Sequence, residues 1–173
     1  MIDLQIKEHR DSKLPLHVSG AFDVQIPWQE FIDNINSSYK EESDQPEKSD
    51  IKFGRVGNVR FYDRMTMVID YAGTFPYTGL DKIKDQISSY GLNIIATMSL
   101  ISLTNSEETT SKHCDPYDVF YLQCIGSVQW SVWNNETRQD FVLNPGDFIF
   151  VPAYLDHEVT SLSPRTALSF MVK

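Results

Sequence analysis

The chain has 173 residues, of which 41% are hydrophobic and 12% aromatic, and this is enough for one soluble domain with a sizeable core. Its formal net charge of −9 argues against nonspecific binding to nucleic acid, whose phosphates require a basic surface. With no stretch near the roughly 18 apolar residues of a membrane span, and no apolar signal-peptide core at its start, the sequence predicts a cytoplasmic protein without a membrane partner.

The start of the chain combines short apolar alternations with one helical pattern. Runs of alternating apolar and polar residues within 1–26 predict edge strands and turns. Pro27 can open a helix over 28–39, whose apolar residues share one face. The charged segment 40–50 contains no apolar residue and predicts an exposed loop.

The next segments complete an N-terminal region, 1–93, that we expect to brace a barrel. Residues 51–71 predict two strands around a glycine turn. A second helix is predicted over 80–90, with Thr78 as a candidate N-cap and Gly91 closing it.

Beyond Asn93 the pattern is almost entirely that of strands. Runs of about six residues, separated by Gly, Pro, Asn and Ser, are typical of a sandwich or barrel. We therefore predict a mainly β fold in which residues 94–172 form a sandwich or barrel with the N-terminal helices packed outside it. The whole chain, 1–173, is expected to form a single domain.

The first candidate for chemistry is the tripeptide His113-Cys114-Asp115. In an extended strand the side chains at i and i+2 project to the same face, so His113 and Asp115 can converge while Cys114 points away. An imidazole nitrogen together with a carboxylate oxygen suits Fe(II), Mn(II) or Zn(II). Alone, the pattern is also compatible with a surface histidine beside an acid.

The second candidate is the stretch LNPGDFIFVPAYLDH over 143–157. Its Pro-Gly-Asp turn leads into a short buried strand, FIFV, which Pro152 ends. A four-residue connection then delivers His157 at the start of the next strand. The stretch resembles the second metal-binding motif of cupins, in which a glycine is usual at the position that Tyr154 occupies here.

Together, HCDPYDVFYLQCIGSVQWSVW and LNPGDFIFVPAYLDH resemble the Jumonji-C and cupin-like Fe(II)/2-oxoglutarate oxygenases. The nearest branch contains the ribosomal-protein hydroxylases and the asparaginyl hydroxylase of hypoxia-inducible factor, and the resemblance spans roughly 94–172. It implies a double-stranded β-helix, Fe(II) held by His113, Asp115 and His157, and 2-oxoglutarate as a small-molecule cosubstrate. It names no catalytic residue beyond the metal ligands.

The sequence departs from this family at Val128, where a Lys or Arg usually binds the far carboxylate of 2-oxoglutarate. A buried dianion requires a compensating donor. Arg165 is the candidate replacement, because RTALS resembles the last strand of the prolyl-hydroxylase branch and an Arg can grip a carboxylate with two parallel bonds. An exposed Arg after the Ser163-Pro164 turn is the alternative.

Three further candidates for contact with 2-oxoglutarate remain. Counting along one strand from Asp115 places Tyr121 and Gln123 on the inner face, and Gln123 matches a polar family position. Thr110 matches a family threonine, although it lies in a polar segment that also fits a loop. Each of the three can instead serve packing alone.

The resemblance implies an oxygenase, in particular a hydroxylase of a protein side chain or a small molecule. Two alternatives stay open. Val128 favours a metal-dependent cupin enzyme that acts without 2-oxoglutarate, and a degenerate Jumonji-like binding module without turnover is the other.

Overall fold

The computed structural model describes residues 2–38, 54–56, 59–62, 65–70, 77–105 and 107–173. Its helices are α1 (Ile2–Ser12), α2 (Trp28–Ser38) and α3 (Leu80–Ser89). Its strands are β1 (Leu16–Val18), β2 (Gly54–Val56), β3 (Val59–Tyr62), β4 (Thr66–Ile69), β5 (Ile94–Ser102), β6 (Glu107–His113), β7 (Asp118–Ile125), β8 (Val128–Asn134), β9 (Thr137–Leu143), β10 (Phe148–Val151), β11 (Asp156–Ser161) and β12 (Arg165–Val172). None of the helices in these described ranges is long and apolar enough to span a membrane.

The strands form two facing sheets. The large sheet has the order β1-β10-β7-β12-β5-β4-β3-β2, and the small sheet has the order β6-β11-β8-β9. Every strand pair within the described part of the chain is antiparallel. The predicted mainly β fold, a double-stranded β-helix with helices outside it, is therefore confirmed.

The large sheet is buried on both faces, and this explains the unbroken apolar runs in its central strands. One face packs against the helices through Phe120, Phe148 and Phe170, which share a core with Ile6 of α1 and Phe31 of α2. The opposite face and the small sheet enclose the barrel interior, which is lined by Val119, Tyr121, Val128, Trp130, Val132, Leu143, Ile149, Val151, Leu155, Val159 and Ala167. Successive side chains along one strand therefore pack alternately into the core against the helices and into the core inside the barrel.

The prediction of an edge strand at the very start of the chain is wrong, because residues 2–12 form α1. The alternation of Ile2, Leu4 and Ile6 is too short to distinguish a strand from a helix, and Leu4 is in fact 68% exposed. Lys13, with φ of 54°, ends the helix in a Schellman motif in which the Leu14 N–H donates to the His9 carbonyl at 2.9 Å. Of the other early runs, LPLHV contributes the short strand β1, whereas residues 21–26 form no strand.

The predictions for 28–39 and 80–90 are confirmed to within a residue, whereas the predicted cap is wrong. Gly79 occupies the N-cap position of α3 with φ of 76°. The Thr78 hydroxyl donates instead to the Glu30 carboxylate of α2, and this bond ties the two helices together. Gly91 follows α3 with positive φ and its N–H donates to the Ser88 carbonyl, as a closing glycine should.

Residues 107–113 belong to the polar segment whose sequence also fits a loop, and they form β6, because an edge strand that gains its bonds from the backbone of β11 needs no apolar face. The described parts of 51–71 form three strands, β2 to β4, rather than two. The predicted loop at 40–50 lies outside the described residues.

Gly126 allows the β7–β8 turn to approach the β11–β12 turn. A Cβ built there would lie 2.2 Å from the Pro164 carbonyl oxygen, and φ is +72°. We expect Gly126→Ala to lower the free energy of unfolding by several kcal/mol, because a left-handed φ costs about 1–2 kcal/mol and the clash adds to it. Gly91→Ala is the control, since φ is +78° but nothing lies within 4 Å. Equal losses of stability in urea titrations of the two variants would contradict the role of the clash.

Tyr154 adopts a left-handed conformation that a glycine would adopt freely. Its φ is +67° and its side chain is 70% exposed, so little packing opposes a change to glycine. We expect Tyr154→Gly to raise the free energy of unfolding by about 0.5–1 kcal/mol. This gain is the left-handed strain that the substitution relieves, minus the additional entropy cost of ordering a glycine on folding. Asn135→Gly, at φ of +56°, should gain less because Asn tolerates this region. Destabilisation by Tyr154→Gly in thermal unfolding would contradict the argument.

Candidate metal centre

Three side chains converge at one end of the barrel. His113 closes β6, His157 lies in β11 directly opposite it in the sheet, and Asp115 lies in the connection before β7. The Asp115 Oδ2 atom is 3.6 Å from His157 Nε2 and 4.0 Å from His113 Nε2. The three potential ligand atoms all lie within 4.8 Å of one another. Sequence reasoning placed Asp115 in an unbroken strand, whereas it is the β6–β7 connection that turns its carboxylate toward the histidines.

Backbone carbonyls fix the orientation of both imidazole rings. His113 Nδ1 lies 2.8 Å from the Ser111 carbonyl, and His157 Nδ1 lies 3.0 Å from the Leu155 carbonyl. Because a carbonyl can only accept, each Nδ1 carries the proton and each Nε2 presents a lone pair. The two Nε2 atoms are those that face Asp115, as a metal site requires.

The protein keeps His157 neutral. Its burial, and next the neighbouring His113, lower the pKa of His157 below the ordinary value. Trp130 stacks on the ring with centroids 5.2 Å apart and planes 24° apart, which restricts its rotation. His113 is exposed on the opposite side of the site, so one wall of the centre is dry and the other is open to solvent.

Tyr117 is a neighbour of the site that sequence reasoning missed. Burial, and next the Asp115 carboxylate, raise the pKa of the Tyr117 hydroxyl, so it stays protonated beside that carboxylate. A protonated phenol can donate toward Asp115 and limit its rotation. Tyr117 lies two residues after Asp115, so the inner-face count that starts at Asp115 passes through it.

Arg165 lies inside the barrel, fully buried. It shares the inner face of β12 with Ala167, and its Nε donates to the Ser161 hydroxyl at 2.7 Å. Its Nη1 donates to the Tyr121 hydroxyl. The alternative of an exposed arginine is thereby wrong. Ser161 was missed, although it follows the inner-face spacing of β11 from His157.

Tyr121 and Gln123 form a directed chain with Arg165. The Tyr121 hydroxyl donates to Gln123 Oε1 at 2.9 Å, and Gln123 Nε2 donates to the carbonyls of Ile125 and Gly126 at 2.8 and 3.1 Å. Burial raises the pKa of Tyr121 to about 12, while Arg165 acts in the opposite direction. Gln123 therefore anchors the β7–β8 turn with its amide group and orients Tyr121 with its oxygen.

The remaining predicted positions are Thr110 and Val128. Thr110 pairs with Val159 in the sheet, and its buried hydroxyl has no hydrogen-bond partner among the described residues. Val128 is fully buried in the barrel core and lies beside Ser161. An unsatisfied buried hydroxyl is a natural contact for a ligand oxygen, whereas Val128 offers only an apolar surface.

A cleft of about 440 Å³ opens beside the segment that leads into His157. Tyr154 and Asp156 form part of its wall, and the Tyr154 N–H donates to the Asp115 carbonyl at 2.8 Å. The complete lining comprises Lys13, Trp133, Asn134, Asn135, Ala153, Tyr154, Leu155 and Asp156. The three candidate ligands are not part of this lining, so the cleft lies beside the connection that precedes His157 rather than at the centre itself.

Comparison with known proteins agrees with this architecture. A family model described as the JmjC domain matches residues 72–139, a range that includes His113 and Asp115. No curated protein matches the chain.

Two solved structures share the fold across nearly all of the chain. The Escherichia coli ribosomal oxygenase YcfD, solved with cobalt and 2-oxoglutarate, matches with a TM-score of 0.69 and 17% identity over 98% of this chain and 51% of that one. SnoN, a non-heme α-ketoglutarate-dependent epimerase from nogalamycin biosynthesis, matches with a TM-score of 0.61 and 13% identity over 99% of this chain and 80% of that one. The chain thus spans about half the length of YcfD. The JmjC-domain match over 72–139 and the shared fold confirm the resemblance drawn from the motifs, and the chain has the double-stranded β-helix fold of these two structures.

Proposed function

We propose that this protein is an Fe(II)- and 2-oxoglutarate-dependent oxygenase that hydroxylates a protein side chain or a small molecule. The observation that carries the proposal is the convergence of His113, Asp115 and His157 at the end of a barrel that also buries Arg165. The JmjC-domain match supports it, as does the fold shared with YcfD, a ribosomal oxygenase solved with cobalt and 2-oxoglutarate.

The donor set fits a divalent iron ion. Two imidazole nitrogens and one carboxylate oxygen form the two-histidine, one-carboxylate set of non-heme Fe(II) oxygenases, which leaves positions open for other ligands. Two bonds of about 2.1 Å at right angles place ligand atoms about 3.0 Å apart, so the spacings of 3.6 and 4.0 Å need only small side-chain movements. When bound, the iron supplies the redox chemistry that couples decarboxylation of 2-oxoglutarate to oxidation of the prime substrate.

The residues of the chain bind and orient the reactants. Arg165 is the proposed partner for the far carboxylate of 2-oxoglutarate, and the Tyr121 hydroxyl, which donates its proton to Gln123, accepts from the guanidinium and orients it. Thr110 has a hydroxyl available for a ligand oxygen. Gln123 contributes indirectly, because its amide already bonds the turn carbonyls and its oxygen orients Tyr121. The apolar wall around Trp130 and Val128 excludes water from the reacting groups.

A second candidate is a metal-dependent cupin enzyme that acts directly on its substrate. Val128 favours it, because this buried valine occupies the position of the usual basic residue. A degenerate module without turnover is the third, and the intact donor set argues against it.

The deciding experiment adds 2-oxoglutarate to the Fe(II)-loaded protein without oxygen and follows the charge-transfer absorption. Oxygen is then admitted with ascorbate, and succinate is measured. A saturable absorption and succinate formation are expected, whereas metal binding without either favours the direct-acting cupin.

Removing a ligand tests the metal centre. We expect His113→Ala and Asp115→Ala to weaken Co(II) or Fe(II) binding by more than about 100-fold, because losing even an outer partner of a ligand typically costs about 10–100-fold. Calorimetric titration with Co(II), together with circular dichroism, measures affinity and fold in parallel. His9→Ala is the control, since His9 Nδ1 bonds the Pro15 carbonyl away from the centre. Unchanged affinity in both ligand variants would overturn the assignment.

Changing Arg165 tests the cosubstrate site. Losing a charge-assisted pair to a buried carboxylate costs about 2–5 kcal/mol, so Arg165→Ala should raise the Kd for 2-oxoglutarate by at least about 30-fold. Co(II) affinity should stay unchanged. Arg165→Met retains most of the buried volume, so it separates loss of charge from loss of packing. If both variants bind 2-oxoglutarate as the wild type does, Arg165 is not its partner.

A further inference from the structure

Asp118 is a buried carboxylate that joins three parts of the chain near the metal centre. It begins β7, three residues after Asp115, and is 9% exposed. Its Oδ2 accepts a hydrogen bond from Arg10 Nε of α1 at 2.6 Å, and its Oδ1 accepts one from the Ala153 N–H at 2.8 Å. Hydrogen bonds to an ionised, poorly solvated acceptor are about twice as strong as neutral ones.

Ala153 belongs to the segment that sets the orientation of His157. In the next two residues, the Tyr154 N–H donates to the Asp115 carbonyl at 2.8 Å and the Leu155 carbonyl accepts from His157 Nδ1 at 3.0 Å. The segment that precedes His157 is therefore held to the segment that contains Asp115 by two adjacent bonds. One of them is a backbone bond, and the other is made by the Asp118 side chain.

The spacing of the candidate ligands depends on this attachment. Asp115 lies in the connection from β6 to β7 and His157 lies in β11, and the Asp115 Oδ2 and His157 Nε2 atoms are 3.6 Å apart. Side-chain rotation can close the remaining gap only if the two backbone segments keep their separation, because metal–ligand bond lengths tolerate errors of only a few tenths of an ångström. α1 adds support, because Arg10 holds the Asp118 carboxylate and Lys13 Nζ reaches the Ala153 carbonyl at 3.5 Å.

We propose that Asp118 is a positioning residue that sets the distance between the Asp115 and His157 ligand segments, an inference that rests on the metal centre proposed above. Asp118 contacts neither metal nor substrate. It acts through the Ala153 N–H, and α1 contributes to the geometry of the centre through Arg10. A helix packed outside the barrel thereby influences the metal site inside it.

A matched control separates positioning from general stabilisation. Asp147 is also a buried carboxylate, 5% exposed, that bonds two backbone N–H groups, those of Gly20 and Asn144, both at 2.8 Å. Its side chain ties the N-terminal segment to the turn before β10. The Asp147 carbonyl accepts a hydrogen bond from the Gln123 N–H, which lies at the opposite end of β7 from Asp118. Replacing it should destabilise the protein to a similar degree without affecting the ligand segments.

The experiment titrates Co(II) alone into the full chain and records its visible absorption, which reports coordination geometry without turnover. We expect Asp118→Ala to weaken Co(II) binding by about 10–100-fold and to change the absorption bands, as loss of an outer partner of a ligand does. Asp147→Ala should lower the Tm but leave Co(II) affinity and spectrum as in the wild type. Asp118→Asn keeps an acceptor for the Ala153 N–H and should restore most of the affinity.

Wild-type Co(II) binding by Asp118→Ala, or equal weakening by Asp147→Ala, would overturn the inference. If Asp118→Ala does not fold, Asp118→Glu replaces it, because this variant keeps the charge for Arg10 while displacing the acceptor by one methylene. Wild-type affinity and spectrum in Asp118→Glu would then reject the positioning role, and weakened binding would support it. If the wild-type protein itself does not bind Co(II), the proposed function fails, whereas an Asp118 variant that binds normally rejects only the present inference.

Discussion

The register of β11 between β6 and β8 is the constraint on which the candidate centre depends. In this register His157 lies opposite His113 on one side and Val132 on the other. Side chains alternate along a strand, so a slip of one residue would turn His157 outward and bring an acidic neighbour into the barrel. Burial alternates along β11 in the same way, with Val159 and Ser161 following His157 on the inner face. The apolar packing that fixes this register therefore also aligns the histidines.

Polar groups inside an apolar barrel must be satisfied, and here they form an ordered chain of donors and acceptors. Arg165 donates to Tyr121, Tyr121 donates to Gln123, and Gln123 donates to the carbonyls of the β7–β8 turn. The direction of the chain leaves Tyr121 and Gln123 little freedom to rotate. The interior of the barrel thus couples a buried guanidinium to the same turn that Gly126 allows to approach the neighbouring connection.

The core of this fold could be predicted from sequence because strands buried on both faces produce long apolar runs between turn residues. Where burial is shallow the pattern fails, as in α1, which buries only Ile6, and in β6, which is polar and lies at a sheet edge. Spacing along the chain also suggested the candidate triad. It could not suggest the role of Asp118, because this carboxylate acts through a hydrogen bond from the N–H of Ala153, a residue distant along the chain that comes close only in the folded protein.

The valine at position 128 and the arginine at position 165 are two parts of one arrangement. Val128 lies in the small sheet, where its register partner is Ser161. Arg165 starts β12 in the large sheet, four residues after Ser161, and its guanidinium crosses back to the Ser161 hydroxyl. The positive charge of Arg165 therefore reaches Ser161, the register partner of Val128, although Arg165 itself belongs to the opposite sheet of the barrel. A basic side chain at 128 would place a second cation beside Arg165 in a poorly solvated interior, where like charges repel strongly. An uncharged residue at 128, such as the valine found there, avoids this repulsion.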